Sequence, residues 1–530
     1  MANSKYEYVK TEFEPDFETK LLPSTYIVIR IDGHQFSEEQ EFDKPNDPRA
    51  LMSLMNACAV AMFEEFKDIV FAYGFGDEYS FVFTRTSKFY QRRASKILST
   101  LVSFFSSLYV TKWNLFFSQK DLRCTPFFVG QIMYFPWDET LRCYLAKRQD
   151  DCHNSNQYNT CLWELVKSGK TKTEAQDILK GTRTQCRNEL LFKQFDINYN
   201  TVPMMFRKGS SVFRDKLKVV VKNRENGDPV VRLRKKVIVE HCDIIGESFW
   251  REHPSLIASE DLNLLRNVHS SNVYECMKNE TEVKNKLLPY TWIVVRIDGR
   301  HFHQFSDMHD FDKPNDSKAL GLMNACVVAL LEKFKDVIFA YGVSDEYSFV
   351  FSKTSQFQQR QGSNIVSMIV SFFSSLYVLN WDEFFPHKEL RSTPSFDGRA
   401  ICYPSTKILR DYLAWRQVDC HINNQYNTCF WMLVKSGKTK REAQSILKGT
   451  QTPDKNDLLY KQFGIDYNTL PAMFRKGSFI FRDKVEEIVQ HRENGCGHIQ
   501  KVQMKVIIEH CDIIGESFWK ENPHLITCDN

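Results

Sequence analysis

The chain contains two copies of one long sequence pattern, and this duplication limits its architecture more than any other feature. Three motifs return in the second half in the same order: Arg30 to Gly33 and Arg296 to Gly299, Phe71 to Gly74 and Phe339 to Gly342, His241 to Gly246 and His510 to Gly515. Between 153–182 and 421–450, 24 of 30 aligned residues are identical. A repeat of about 260 residues is far longer than a solenoid repeat, so each copy is predicted to fold as a domain.

The predicted boundaries follow from where the pattern restarts. The first repeat is expected to span 1–257 and the second 272–530, because Tyr274-Glu275 resumes the pattern of Tyr6-Glu7. The polar stretch 258–271 is then a linker. Tandem copies often replace two chains of a symmetric oligomer, so the repeats are expected to pack as an internal pseudo-dimer. Whether the chain forms a further homo-oligomer is left open.

Composition excludes several classes of protein. Apolar residues make up 42% of the chain and charged residues 26%, which is typical of a globular protein. The net charge is only +4, so any affinity for nucleic acid must come from local patches. No membrane span is expected, since the longest apolar run, Ile365 to Val378, is interrupted by serines. The 15 cysteines form no C-x-x-C pair and indicate an intracellular protein, either nuclear or cytoplasmic.

The second copy shows the order of its elements most clearly. Thr291 to Gly299 is β-branched and ends in Gly, which predicts a strand, and Ser317 to Lys335 has the apolar spacing of a helix. Two strands then flank the polar turn Val343 to Glu346, and Ile365 to Asn380 predicts another helix. The order β-α-β-β-α predicts an α+β fold: two tandem palm-like domains, each an antiparallel sheet of the ferredoxin-like plan with helices on one face and a C-terminal helical extension.

This order predicts a site of paired carboxylates. In a ferredoxin-like sheet the end of the first strand faces the turn of the following hairpin, so Asp298 and Asp345 are expected to be neighbours. Two carboxylates beside a glycine carbonyl form a hard-oxygen site suited to Mg²⁺, and two such ions are the usual device of nucleotidyl transfer. The other interpretation is that an Asp-Glu turn is only a polar hairpin tip. The first repeat carries the same acids at Asp32 and Asp77.

Six motifs of the second repeat resemble those of the tRNA-His guanylyltransferase family. They are Ile297 to His303, Lys313 to Asp316, Tyr341 to Phe349, Cys420 to Thr428, Arg475 to Gly477, and His510 to Gly515. The resemblance covers essentially both halves. It implies a palm-like catalytic domain related to that of polymerases but running in the opposite direction. It also implies the substrates tRNA-His, ATP and GTP: ATP activates the 5′ phosphate of the tRNA, the GTP 3′ hydroxyl then attacks it, and one G is added.

The resemblance also implies roles for individual residues. The implied metal ligands, for two Mg²⁺ per site, are Asp298, Gly299 and Asp345 in the second repeat and Asp32, Gly33 and Asp77 in the first. The acids Glu346 and Glu78 join these aspartates as implied catalytic residues. The implied nucleotide-binding residues are Asp298 to His303, including Arg300, His301 and Phe302, with Lys313, Ser344 and Asp345, and in the first repeat Asp32, Gly33, His34, Gly76, Asp77, Arg93 and Lys96. The tRNA-binding residues implied are His421, Asn423, Asn424, Lys455, Arg475 and Lys476.

The two repeats differ at positions that bear on activity. The simplest alignment removes the counterpart of Arg300-His301-Phe302 from the first repeat, which loses a cation and several backbone donors. The second repeat in turn has Gln361 and Asn364 where the first has Arg93 and Lys96, and Arg360 is the cation that would compensate. The hypothesis is that the second repeat is the more catalytic and the first is catalytically weakened, serving mainly tRNA binding or assembly.

Two other functions remain open from the sequence. Differences in both copies are also compatible with a non-catalytic tRNA-binding or regulatory protein derived from this enzyme family. The acids alone would also suit a nucleotide cyclase, although the motifs outside the predicted palm argue against it. Acids retained in both halves favour catalysis, because buried unpaired carboxylates are costly without a metal ion.

Overall fold

Each half of the chain builds a six-stranded antiparallel sheet, and the two strand orders are the same. In this computed structural model the described residues are 5–13, 20–34, 47–223, 229–257, 283, 285–489 and 499–527. With the six strands of each half numbered in chain order, both sheets have the order 4-1-3-2-5-6. The first four strands of each order are those of the ferredoxin-like plan. The predicted fold class, two tandem α+β domains with antiparallel sheets, is therefore confirmed.

The strands, in chain order from β1 to β12, are Tyr26–Gly33, Ile69–Phe75, Glu78–Phe83, Phe128–Phe135, Ser210–Asn223, Pro229–Glu240, Trp292–Gly299, Val337–Val343, Glu346–Phe351, Phe396–Tyr403, Ser478–Val489 and Ile499–Glu509. The helices, in chain order from α1 to α17, are Glu7–Glu12, Asp47–Glu65, Ala94–Phe116, Asp138–Lys167, Lys172–Leu179, Thr184–Phe195, Met204–Lys208, Glu247–Glu252, Phe302–Met308, Ser317–Lys333, Gly362–Leu379, Trp381–Phe384, Thr406–Lys435, Lys440–Leu447, Thr452–Phe463, Ala472–Lys476 and Glu516–Glu521. The shorter helices after α4 and α13 form the predicted helical extensions.

Successive side chains of each strand point to opposite faces of the sheet, and different helices cover the two faces. In β1, Ile29 packs into a core with Leu54 of α2 and Leu101 of α3, while Val28 points to the other face and packs with Tyr144 of α4. The second sheet repeats this, with residues of β7 packed against α13. The expectation of helices on one face is thus wrong: a 30-residue helix covers the second face of each sheet.

Helix α11 explains the most apolar stretch of the sequence. By length and composition Gly362–Leu379 would be able to cross a bilayer, but 78% of it is buried inside the protein. Four of its five serines are buried as well, and Ser374 donates a 2.5 Å hydrogen bond to the Val370 carbonyl within the helix. Burial of this kind belongs to the core helix of a domain, which accounts for the composition.

The compact units of the structure do not follow the sequence repeats. The N-terminal unit is Lys20–Lys284, and the C-terminal unit combines Met1–Thr19 with Asn285–Asn530. Helix α1 belongs to the C-terminal unit: Val9 is fully buried with Trp292 and Tyr403, and the Tyr8 hydroxyl donates to the Asp411 carboxylate.

Val283 packs in turn against the core of the N-terminal unit, where its N–H donates to the Ile132 carbonyl at 3.2 Å. Each unit therefore includes a segment from the start of the other repeat, as the sequence defines the repeats. The boundaries 1–257 and 272–530 stay a prediction about the repeats, and the predicted linker 258–271 lies outside the described residues.

Candidate active site

Four acidic side chains meet at one end of the second sheet. Asp298, near the end of β7, lies opposite Glu346 in β9 and opposite Asp397 in β10, so the three acids form one row across the sheet. Asp345 belongs to the turn before β9, and its carbonyl accepts a 3.1 Å hydrogen bond from the Gly299 N–H. The structure thus brings Asp298 and Asp345 together, as the order of elements predicts.

Burial, together with neighbouring negative charges, raises the proton affinity of Asp298 and Asp345. Loss of water around the Asp298 carboxylate, followed by the charges of Asp345, Glu346 and Asp397, raises its pKa to about 7. Burial likewise raises the pKa of Asp345 to about 6, against the hydrogen bond from Ser344. Ser344 itself has a φ of 56°, a conformation that glycine adopts readily and that Gly76 supplies in the first repeat. The C-terminal unit therefore holds concentrated negative charge that a cation would relieve.

The charges at the equivalent site of the N-terminal unit are balanced differently. Arg30 donates to the Asp32 carboxylate at 2.9 Å and also pairs with Glu78. Val129 of β4 stands opposite Asp32, at the register position that Asp397 holds in the second sheet. Burial and the charge of Asp32 raise the pKa of Asp77 to about 7. The first site therefore has one acid fewer, and its strand-end aspartate is already paired with an arginine.

The two glutamates that follow the turn aspartates are bound by arginines. Glu346 lies 2.8 Å from the Arg416 guanidinium and 3.8 Å from that of Arg296. In the other unit, Arg148 lies 3.5 Å from Glu78, which also pairs with Arg30. Paired acids of this kind anchor the sheet to the long helix that covers it. A catalytic role for Glu346 and Glu78 stays a prediction.

The donor set of the C-terminal unit fits Mg²⁺. Among the described residues, no three His, Cys, Asp or Glu side chains are arranged to hold a metal ion by themselves. Mg²⁺ does not need such a cage, because it keeps several waters and is usually held by one or two carboxylates together with substrate phosphates. A Cβ on Gly299 would lie 2.8 Å from Asp345 Oδ2 and 2.4 Å from the Phe302 ring, so the glycine keeps this carboxylate accessible.

We expect replacement of Asp298 by Asn to stabilise the protein at high pH when no divalent cation is present. The folded pKa of about 7 lies above the ordinary 3.8, so the stability that Asp298 contributes is complete below pH 4 and is lost as pH rises towards 7. In EDTA at pH 8, Asp298→Asn should raise the unfolding temperature by a few degrees, and the gain should vanish near pH 4. Asp32→Asn is the control and should give no gain, because it removes the ion pair with Arg30. Equal gains in the two variants would contradict the charge difference between the sites.

A cavity of about 270 Å³ opens beside Asp345. Its wall includes the predicted residues Phe302, His303, Lys313 and Ser344, and also Tyr377, Asn427 and Trp431, which the sequence analysis does not single out. The Lys313 ammonium lies 3.0 Å from Asp307 and 5.8 Å from the centre of the Trp431 ring. A half-open cavity with aromatic walls, a cation and adjacent acids has the chemistry required for a nucleotide.

The loop after β7 is held in place by its own residues. The Arg300 N–H donates to the Ser395 carbonyl at 2.8 Å, and His301, with a φ of 55°, precedes α9. Phe302 is buried against Phe305 and Tyr377, so it anchors the loop as well as lining the cavity. The counterpart of this loop in the first repeat, 35–46, lies outside the described residues.

Up to residue 34, the first repeat keeps part of the arrangement that surrounds Gly299 and Asp345 in the second. The Gly33 N–H donates to the Asp77 carbonyl at 3.1 Å, as Gly299 does to Asp345. The His34 ring packs against Phe127, with 4.9 Å between ring centres. Gly76 occupies the turn with a φ of 56°.

Arg93 and Lys96 are not brought to the acids of their own unit. They lie at the start of α3. The backbone of Arg93 forms an isolated β-bridge with that of Lys20, close to the beginning of β1. Asp32 is near the other end of that strand, roughly 20 Å from its beginning at the usual rise per residue. Arg360 does not compensate for their loss in the second repeat: it is buried, and its guanidinium donates to backbone carbonyls including those of Ser355 and Thr291.

The predicted RNA-binding residues fall into two groups. Asn424 and Lys455 are buried: Asn424 links the Asn315 amide at 2.8 Å to the Tyr467 hydroxyl at 3.0 Å, and the Lys455 ammonium donates to Thr450. Both have structural roles, and their part in RNA binding stays a prediction.

The others lie closer to solvent. Asn423 is exposed, while His421 stacks edge-on against Tyr467, and burial followed by the charge of Arg475 lowers the pKa of the imidazole. Arg475 donates to the Leu470 carbonyl, and the Lys476 carbonyl accepts from the Tyr341 hydroxyl at 2.8 Å.

Asp397 is the clearest functional candidate that the sequence analysis missed. It lies in none of the motifs used there, and only the strand register places it beside Asp298. The signal was available in the repeat itself, where Ser395 to Arg399 reads S-F-D-G-R and the first copy reads F-F-V-G-Q. A comparison of every difference between the copies would have pointed to it.

Two sequence families match the chain, each of them twice. The family described as tRNAHis guanylyltransferase matches 6–136 and 274–404, and the Thg1 C terminal domain matches 139–246 and 407–515. tRNA(His) guanylyltransferase 1 of Arabidopsis thaliana is 56% identical over 99% of this chain and 91% of its own length.

Solved structures also match single repeats of the chain. A crystal structure of the tRNA(His) guanylyltransferase from Saccharomyces cerevisiae is 45% identical, covering 38% of this chain and 91% of that one, with a TM-score of 0.38. A bacterial Thg1-like protein in complex with ATP is 20% identical, covering 48% and 99%, with a TM-score of 0.37.

Proposed function

Because this chain belongs to the tRNA(His) guanylyltransferase family, whose members are nucleotidyltransferases, we propose that it adds one GMP to the 5′ end of tRNA-His and that its C-terminal unit carries the chemistry. ATP first activates the 5′ phosphate of the tRNA as an adenylate. The GTP 3′ oxygen then bonds to that phosphorus, the bond to AMP breaks, and pyrophosphate is later removed from the added nucleotide.

One observation carries the assignment to the C-terminal unit. Asp298 faces only other acids in its row, Glu346 and Asp397, whereas Asp32 is paired with Arg30 and faces Val129. A site that must bind cations and phosphates needs carboxylates whose charge is not already neutralised. The arginine in the N-terminal unit competes directly with such a cation.

The residues that would hold Mg²⁺ are Asp298, the Gly299 carbonyl and Asp345. When bound, the ions would stabilise negative charge on the phosphoryl oxygens of the nucleotide and the tRNA. The protein itself orients the substrate. The cavity beside Asp345 would receive the nucleotide between Phe302 and Trp431, and Lys313 and His303, which line the same cavity, would bind its phosphates.

Ion pairs keep this geometry rigid. Arg416 reaches Glu346 at 2.8 Å and Asp419 at 3.2 Å, so the long helix α13 is tied to the strand that begins directly after Asp345. The Asn315–Asn424 hydrogen bond ties the same helix to the loop that carries Lys313. Both walls of the nucleotide cavity are thus fastened to one helix, which favours a preorganised site.

The direct test is transfer of label from GTP to RNA. The full chain is incubated with labelled GTP, ATP, Mg²⁺ and a 5′-phosphorylated tRNA-His transcript, and we expect labelled tRNA that is one nucleotide longer. Omitting ATP should abolish the product when the transcript carries a monophosphate. A folded protein that binds the tRNA but yields no labelled RNA would favour the non-catalytic tRNA-binding function instead.

A further inference from the structure

The long β-hairpin of the N-terminal unit is far more basic than its counterpart. Strands β5 and β6 contain eight Lys and Arg residues against two Asp and Glu residues. Strands β11 and β12 contain four of each. Because the net charge of the whole chain is only +4, the first hairpin is a marked local concentration of positive charge.

The two hairpins can be compared residue by residue because an arginine fixes each in the same way. The Arg214 guanidinium donates to the carbonyls of the helix and strand beside it, including Ile69 at 2.5 Å, and Arg482 donates to Val337 at 2.7 Å. Two residues beyond each arginine, Lys216 lies opposite Lys235, but Lys484 lies opposite Met504. Arg234 likewise corresponds to Gln503.

The excess charge is exposed, and no acid among the described residues neutralises it. Lys216, Arg234, Lys235 and Lys236 are all exposed, and none of them forms an ion pair with another described residue. Like charges directly opposite each other in an antiparallel pair destabilise the sheet, and Lys216 and Lys235 are in that relation. The second hairpin avoids this cost with a methionine. The first hairpin keeps the lysine pair despite its cost in stability, which favours a role in binding polyanions.

We propose that the β5–β6 hairpin of the N-terminal unit is a docking surface for the phosphate backbone of the RNA substrate, and that the β11–β12 hairpin is not. The proposal rests on the function proposed above, since it takes the anionic partner to be a tRNA. It assigns the two repeats different tasks: one grips the backbone of the RNA, and the other performs the transfer. Contacts of this kind supply affinity without reading sequence.

The substitutions that test the proposal are taken from the sequence of the second hairpin. The variant Arg234→Gln/Lys235→Met places the natural residues of the second hairpin at the same register positions, so the fold should tolerate it. The matched control, Lys484→Gln/Lys505→Gln, removes two charges from the second hairpin. Binding of a fluorescent 5′-phosphorylated tRNA-His transcript to the full chain is measured by anisotropy at several KCl concentrations, without nucleotide.

We expect the first variant to raise Kd roughly tenfold near physiological salt and to reduce the slope of log K against log salt by about 2. The control should leave both unchanged. The unfolding temperature of the first variant should be equal to or above that of the wild type, because the Lys216–Lys235 repulsion is gone. Loss of binding without loss of stability separates docking from a structural role.

Several results would overturn the proposal. Unchanged affinity and slope in Arg234→Gln/Lys235→Met would do so, as would equal losses in the control. Unchanged tRNA binding with lost binding of polyglutamate would point to an acidic protein as the partner. A wild-type chain that binds no tRNA would instead refute the proposed function, so the two failures are distinguishable.

Discussion

Replacing Asp298 and Asp345 together by Asn should reduce G addition by at least about 10³-fold. Asn keeps the volume of Asp and its hydrogen-bonding capacity but loses the charge that holds a divalent cation under a triphosphate. Both carboxylates lie at the sheet end where β7 meets the hairpin turn, and no arginine among the described residues forms an ion pair with Asp298 as Arg30 does with Asp32. The measurement is the rate of label transfer from GTP to tRNA-His at saturating substrates.

The matched control is the double variant Asp32→Asn/Asp77→Asn, which changes the same positions of the first repeat. It should retain most of the activity, because the N-terminal site has Val129 in place of Asp397 and an arginine on its strand-end acid. Thermal unfolding of both variants guards against loss of the fold. Loss of activity confined to the Asp32/Asp77 protein would reverse the assignment of the two units.

Replacing Gly477 by Ala should lower the unfolding temperature by roughly 6–12 °C, which corresponds to about 3 kcal/mol for a unit of this size. Gly477 has a φ of 76° and a ψ of −164°, a region essentially reserved for glycine. An added Cβ would also lie 2.5 Å from the Gly342 carbonyl oxygen and 2.9 Å from the Tyr341 hydroxyl. Neither group can move freely, because the Tyr341 hydroxyl donates to the Lys476 carbonyl. The measurement is thermal unfolding of the full chain.

Gly437→Ala separates steric conflict from backbone strain. Gly437 has a φ of 98°, but a Cβ there would meet no atom within 4 Å. Its cost is therefore the conformational strain alone, about 1 kcal/mol or roughly 2–4 °C. If the two variants unfolded at the same temperature, the close approach of Gly477 to Gly342 would have no energetic consequence.

The duplication and the order of elements were enough to predict the fold and the neighbouring positions of Asp298 and Asp345. Both follow from local signals, since a β-branched run, a helical apolar pattern and a polar turn are each encoded within a few residues. The strand register is a tertiary property, and for that reason Asp397 and Val129 could not be placed opposite the strand-end acids beforehand.

Runs of charged or polar residues were the least informative sequence signal for identifying the residues of the site. Arg93 and Lys96 read as phosphate ligands, yet they start a helix at the far end of the sheet from Asp32. Asn424 and Lys455 lie in a polar motif but are buried, because they satisfy hydrogen bonds within the helical extension. Sequence shows that a residue is polar, whereas only its neighbours determine whether that polarity faces solvent, backbone or substrate.

The placement of helix α1 in the C-terminal unit has a consequence for how the protein is made. Val9 leaves the ribosome before both of its packing partners, because Trp292 and Tyr403 lie hundreds of residues later in the chain. At typical translation rates of about 5–20 residues per second, the apolar face of α1 waits on the order of 20 s or more for its binding site. Helix α1 thus reaches its native environment only after Tyr403 has been made, and the unit that carries the acidic row is completed by a segment synthesised long before the rest of that unit.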